Sequence, residues 1–216
     1  METNSYQFRF GANLTNANLT GKSLRHKDLR SVNLTGANLT NADLFGANLT
    51  NANLTGANLA DAILTNANLT NANLTDALMP GVGLQNANLD SADLSGAKLR
   101  GAKLDGANLF GALFVGTSFD EAILDNTNLH SAELERANLI RASLRGANLE
   151  GANLEGANLE GAWLEKAKLR GANLTNARLD SADLSGADLS GADISGARGK
   201  NVRLTGTTMP DGTKHS

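Results

Sequence analysis

The sequence contains no cysteine. A disulfide framework, a thiol nucleophile and a thiolate metal site are therefore excluded. Proline is nearly absent, with two in 216 residues, and aromatic residues make up only 4%. A chain poor in both, yet rich in Leu, Ala and Asn and carrying 23 glycines, has the composition of a repeat rather than of an ordinary globular mixture. Charge of one sign is lacking too: 19 basic residues face 22 acidic ones, for a formal net charge of −3. That balance supplies no bulk electrostatic pull toward nucleic acid or a membrane surface. No stretch approaches the roughly 18 apolar residues of a membrane span. Residues 1–10 lack the basic start and apolar run of a signal peptide. These absences predict a soluble, cytoplasmic protein with neither a membrane nor a nucleic acid as direct partner.

What is present is a period of five. Every fifth residue from Leu14 to Ile194 gives 37 central positions, of which 33 are Leu. The exceptions are Met79, Phe114, Phe119 and Ile194. Two residues before the centre, 31 of the 37 positions are Ala, the exceptions being Lys22, Lys27, Val32, Val82, Thr117 and Thr127. The residue just before the centre is mostly Asn or Asp. The two that follow are mostly Thr, Ser or a charged residue, then Gly, Asn or Ser. No insertion breaks this register.

An α-helix turns about 100° per residue, so a period of five would smear Leu around its surface. A straight strand alternates faces with period two. Ala and Leu, two apart, then share one face, but the next Ala has the wrong parity. The chain must bend between Leu and the following Ala, where the turn-forming residues stand. Each unit is thus a short extended segment and a corner, with Ala and Leu inside. A chain that bends alike at every fifth residue winds into a coil. Stacked coils pair their backbone groups about 4.8 Å apart. How many units close one coil stays open on these grounds.

The unit, as in Ala37-Asn38-Leu39-Thr40-Asn41 and Ala187-Asp188-Leu189-Ser190-Gly191, resembles that of the pentapeptide-repeat family over nearly the whole chain. The resemblance implies an all-β, right-handed quadrilateral β-helix with four units per coil and about nine coils. Residues 11–209 are expected to form it, preceded by an N-terminal cap strand at 1–10 and followed by a tail at 210–216. Tyr6, Phe8 and Phe10 would cover the first coil. The family also includes quinolone-resistance proteins that mimic duplex DNA and bind DNA gyrase. A DNA-mimicking inhibitor or protector of gyrase is the alternative function that the resemblance offers. Against it, acidic columns are interrupted, as in Arg100, Asp120, Ile140, Glu160 and Asp180.

With residues 20 apart stacked, the sequence becomes a surface map. Asn48, Asn68, Asn88, Asn108, Asn128 and Asn148 form one ladder, and Thr15, Thr35, Thr55 and Thr75 another. Side chains bonding along the stack explain both. Glu150, Glu155, Glu160 and Glu165 fall on four different walls, as a ring. Phe110, Leu113, Val115, Ile123, Ile140 and Trp163 are apolar at outward positions and are the candidate protein-binding patch. Ile63, Ile123 and Trp163 share one wall. Lys22, Arg25, Lys27 and Arg30 make the first coil basic and are a candidate anion site, with solvated stems as the simpler account of both lysines.

His26, His130 and His215 share neither sequence neighbourhood nor column. No phosphate-binding, nucleophile-elbow or zinc-protease motif occurs. The expectation is therefore a non-enzymatic interaction scaffold without cofactor or metal. It would be a monomer or weak dimer and would bind a protein partner through its outer walls.

Overall fold

The computed structural model describes residues 8–216. Its organising feature is a backbone bend at every fifth residue. From Gly11 to Gly206 each such residue has a positive φ, near 55° at Asn16 and 64° at Gly36. A left-handed residue at the third place of a turn lets the chain reverse within four residues. The turn is closed by an amide, as where Ala37 N–H donates to the Leu34 carbonyl at 2.9 Å. Asn, Gly and Ser prevail at this corner because Gly lacks the clashing Cβ and short polar side chains tolerate the region. Lys166, at φ 59°, takes it without either advantage.

Between corners the chain is extended for too short a distance to make a continuous strand. Each unit gives one bridging residue, and these pair in parallel at a separation of 20, beginning with Asn13 and Asn33. Four bends separate bridged partners, so each coil has four walls. We call them wall 1 (centred on Leu14 and every twentieth residue after it), wall 2 (Leu19), wall 3 (Leu24) and wall 4 (Leu29). The bridges run on through Arg198, Arg203 and Thr208, giving 40 bridging positions, ten to a wall. That is ten coils where 37 units suggest about nine, because the imperfect last units keep the hydrogen-bond register.

All central Leu side chains from Leu19 to Leu189 are buried, and so are the Ala residues two before each centre from Ala37 to Ala192. Phe114 and Phe119 meet edge-on inside one coil, with centroids 5.1 Å apart. Thr117 and Thr127, at Ala positions, are buried because their hydroxyls donate to the carbonyls of Leu94 and Leu124 at 2.7 Å. A buried Leu contributes about 1.5–3 kcal/mol, so Leu repetition replaces the missing aromatics as the source of stability.

The ends differ. Of the expected cap at 1–10, residues 1–7, Tyr6 among them, lie outside the described residues. Phe8 packs against the core, and Phe10 is largely exposed. At the other end, Gly199 stands where a central Leu would. A Cβ there would lie 2.4 Å from a Val202 methyl and 3.2 Å from the Leu179 Cβ. Val202 thus occupies the space of the missing side chain. Residues 210–216 turn back at Pro210–Gly212. Met209 N–H donates to the Thr213 carbonyl at 2.7 Å, and His215 N–H to that of Thr207 at 2.9 Å. This antiparallel hairpin covers the edge of wall 4. Beside it Ile194, Leu179, Leu189 and Val202 line an apolar recess of about 150 Å³.

Two substitutions test the inside–outside assignment. Leu94→Ala should lower the urea unfolding free energy by about 2–5 kcal/mol, whereas exposed Leu113→Ser should change it by less than about 0.5 kcal/mol. The corner geometry makes a separate prediction. Lys166→Gly should not destabilise, and should raise stability by up to about 1 kcal/mol, because relief of left-handed strain exceeds the entropy cost of glycine.

Candidate interaction surface

The residue before each centre points outward, and its side chain has a local task. Asn13 Oδ1 accepts from the Thr15 backbone N–H at 3.2 Å and from the Thr15 hydroxyl at 2.6 Å. The same bonds recur at Asn33 and Thr35, Asn53 and Thr55, and Asn73 and Thr75. The Asn thus satisfies the one amide that neither a coil–coil bond nor the turn bond reaches, an Asx turn repeated up the rod. This corrects the expectation that the Thr ladder bonds along the stack: its hydroxyls are held within their own units. Bonds along the stack do join the wall 4 amides, Asn108 to Asn88 and Asn128 to Asn108 at 2.9 Å, and Asn148 to Asn128 at 3.3 Å. Where Leu78 replaces Asn, the residue two on is Pro80, which has no amide hydrogen to satisfy.

The six candidate patch residues do not form one surface. Leu113 and Val115 stand on wall 1, Ile140 on wall 2, Ile123 and Trp163 on wall 3, and Phe110 on wall 4. Walls 1 and 3 are two bends apart, so Trp163 cannot share a contact face with Leu113. Proximity in sequence misleads here because each five residues rotate the outward direction by one wall. Phe110, Leu113 and Val115 do remain together, around a single corner at Gly111, and all three are exposed. Behind them the Phe110 ring stacks on His130, with centroids 5.5 Å apart and planes 16° apart. Ile123 and Ile140 are half-buried.

Trp163 is 47% exposed, but its ring is engaged: the Arg145 guanidinium lies 4.0 Å over it. Arg145 also donates to Glu165 at 3.3 Å and to the Ser143 hydroxyl at 3.0 Å. In turn Ser143 donates to Asp125. Wall 3 is therefore knit by a charged network over its indole.

The four basic residues of the first coil divide between walls 3 and 4. Arg25 is paired with Asp43 at 2.9 Å and lies 4.4 Å over the Phe45 ring. Arg30 is held by Asp28 at 2.7 Å. Both guanidinium charges are already met by carboxylates, which leaves Lys22, half-buried, and Lys27, exposed, as the cations without a partner among the described residues. The glutamate ring is spread over four walls as its spacing requires. Glu165 pairs with Arg145, and Glu160 with Arg178 at 2.9 Å.

Charge is sorted by wall, which neither net charge nor linear sequence displays. Counting each corner with the wall before it, wall 1 has six carboxylates (Asp76, Asp93, Glu133, Glu135, Glu155, Asp193) and one cation, Arg136. Walls 2 and 3 each have five carboxylates and six cations, and wall 4 has five and four. Folding the sequence at a period of 20 would have exposed this signal.

Among the described residues no group of three His, Asp or Glu side chains could hold a metal ion, and no helix is long and apolar enough to cross a membrane.

The profile described as pentapeptide repeats matches in eight copies, in overlapping segments from residue 10 to 206. The crystal structure of HetL, a pentapeptide repeat protein involved in heterocyst differentiation regulation from the cyanobacterium Nostoc sp. strain PCC 7120, is 39% identical. The match covers 97% of this chain and 92% of that one, with a TM-score of 0.53. A trypsin-treated variant of QnrB1, a plasmid-mediated fluoroquinolone resistance protein, is 24% identical over 85% of this chain and 90% of its own, with a TM-score of 0.68. At that identity the likeness extends to the fold alone. No curated protein sequence matches the chain.

Several outward aspartates are held below the ordinary carboxylate range. Asp43 is lowered chiefly by its bond from Arg25. Asp188 and Asp193 are lowered by bonds from Ser190 and Ser195. A depressed native value means that the unfolded chain binds more protons near its own carboxylate value of about 3.9, so stability rises with pH there. Urea unfolding from pH 7 to pH 2 should show a plateau above about pH 5. Stability should then fall steadily as pH drops through the lowered native values. A Asp43→Asn, Asp188→Asn, Asp193→Asn triple variant should flatten that fall.

Proposed function

Because the chain belongs to the pentapeptide-repeat family, we propose that it is a non-enzymatic scaffold, a right-handed four-sided rod whose outer walls bind a protein partner. One observation carries this reading: Phe110, Leu113 and Val115 lie exposed together around one corner of a preformed surface. Apolar side chains grouped on a rigid exterior favour association, since their burial is gained with little backbone ordering. Among the described residues the carboxylates stand on the outer walls, and the surface recesses at Asp180 and at Glu160 hold one carboxylate each, so neither pairs two of them at one substrate atom. HetL's involvement in regulating heterocyst differentiation supports a role exerted through binding.

A DNA-mimicking inhibitor or protector of gyrase is the weaker reading. A duplex substitute needs a negative surface along its length and on more than one side, whereas walls 2 and 3 carry a slight excess of cations.

Immobilised protein should capture a defined partner from extract of its native cell. A Phe110→Ala, Leu113→Ser, Val115→Ser variant of unchanged thermal stability should lose that partner. Retention of the partner by the variant would refute this docking corner, and protection of gyrase from quinolones by the wild type would favour the mimic.

A further inference from the structure

The outward column of wall 1 is not uniform. Its first four coils present Asn and Thr alone: Asn13 with Thr15, and so on to Asn73 with Thr75. The fifth coil presents Asp93 and Ser95, the sixth Leu113 and Val115, the seventh Glu133 and Glu135, and the eighth Asn153 and Glu155. Asp93 bridges Leu113 and Leu113 bridges Glu133, so the apolar pair lies between carboxylates one coil away on either side. Leu113 is 39% and Val115 42% exposed, and Glu155 is exposed.

Two further features mark this stretch, the first by contrast with the rest of wall 1 and the second by contrast with walls 2 and 3. Leu113 and Glu133 stand where Asn or Asp would hold the amide two residues on, and they are consecutive on the wall. The Asx bond that recurs up the column is thus forfeited twice in succession where apolar and acidic side chains replace it. Neutralisation is also scant. Elsewhere carboxylates meet cations across coils, as in Arg145 with Glu165, Arg178 with Glu160 and Arg203 with Asp183. On wall 1, among the described residues, only Glu135 is paired, with its neighbour Arg136 at 3.4 Å. Across the corners the Leu113 and Glu133 coils are flanked by Phe110 and His130 on wall 4 and by Ser118 and Asn138 on wall 2, none of them a fixed cation, whereas beside Asp93 wall 2 carries exposed Lys98 and Arg100, the latter drawn to Asp120 and Glu121.

We propose that the wall 1 surface from Asp93 to Glu155 docks a partner-protein segment in which an apolar side chain is flanked by lysines or arginines. The apolar residue covers Leu113 and Val115, and the cations meet Asp93 on one side and Glu133, Glu135 and Glu155 on the other. Charge complementarity fixes the partner's sign, and the apolar pair between the charges fixes its pattern. The inference deepens the scaffold reading and rests on it.

The probe is a labelled decapeptide of alternating Lys and Leu, titrated into the full chain at low ionic strength with fluorescence anisotropy as the readout. Decapeptides of alternating Glu and Leu, and of alternating Lys and Gln, serve as comparisons. The Lys–Leu peptide should bind, the Glu–Leu peptide should not, and the Lys–Gln peptide should bind more weakly. The isosteric Glu133→Gln, Glu135→Gln, Glu155→Gln variant should weaken Lys–Leu binding about tenfold, as expected for the loss of three exposed charge contacts. Leu113→Ser with Val115→Ser should also weaken it. Removing three carboxylates from the other walls (Asp61→Asn, Asp105→Asn, Asp188→Asn) should leave it unchanged within about twofold. Equal weakening by the two carboxylate triples, indifference to the wall 1 triple, or no binding by the wild type would overturn the proposal. If partner capture still required Phe110, Leu113 and Val115 in any of those cases, the scaffold reading would stand and only the basic partner class would fall.

Discussion

One pair of backbone hydrogen bonds, repeated at every unit, governs the molecule. Leu94 N–H donates to the Leu113 carbonyl at 2.8 Å, and Leu113 N–H donates to the Ala92 carbonyl at 2.9 Å. Each unit thus ties its amides to the coils above and below. A shift of one residue would carry every Leu from inside to outside. The bond pair recurs only if the chain bends identically every five residues, which the left-handed corners ensure. Interior and exterior are therefore assigned by register, and side chains on the outer walls vary with little effect on the tube.

That freedom has one restraint. The outward residue before each centre is useful to the fold when it is Asn or Asp, since it satisfies an amide that the coil–coil bonds leave free. An apolar residue there gives up the bond without gaining burial. Leu113 and Trp163 both do so, with different consequences. Trp163 recovers a partner in Arg145 on its own wall, whereas Leu113 stays open beside Val115 and unneutralised carboxylates. The return of the chain to the same wall every 20 residues sorts a nearly balanced charge into one acidic wall and two with a slight excess of cations.

The tube was legible in the sequence because its cause is local and periodic: Leu and Ala fix the inside, and Gly, Asn and Ser fix the bends. Four units per coil rested on resemblance, and the parallel pairing of residues 20 apart supplies the geometry behind it. The tenth coil was hard to foresee because Gly199 removes the central side chain while keeping its backbone bonds, and Val202 fills the gap. The scattering of Trp163 and Leu113 onto walls two bends apart was obscured by their shared apolar character, although the coil arithmetic contained it. The neutralisation of Arg25 by Asp43 pairs residues 18 apart, so neighbouring sequence gave no sign of it. The Asn ladder was visible as a pattern, yet its main bonds run within units, because the free amide two residues away is closer than the next coil.

The central claim is that 20 residues advance the rod by one coil and return the chain to the same wall. The absence of cysteine makes it directly measurable, since spin labels attach only where a cysteine is introduced. Labels at Glu155→Cys paired in turn with Thr75→Cys, Thr55→Cys and Thr35→Cys all lie on wall 1, four, five and six coils apart. Pulsed electron–electron distances should rise in steps of about 4.8 Å, from roughly 19 to 29 Å. Distances that fail to grow by one inter-strand spacing for each added 20 residues would contradict the coil, and with it the walls on which the functional reading stands.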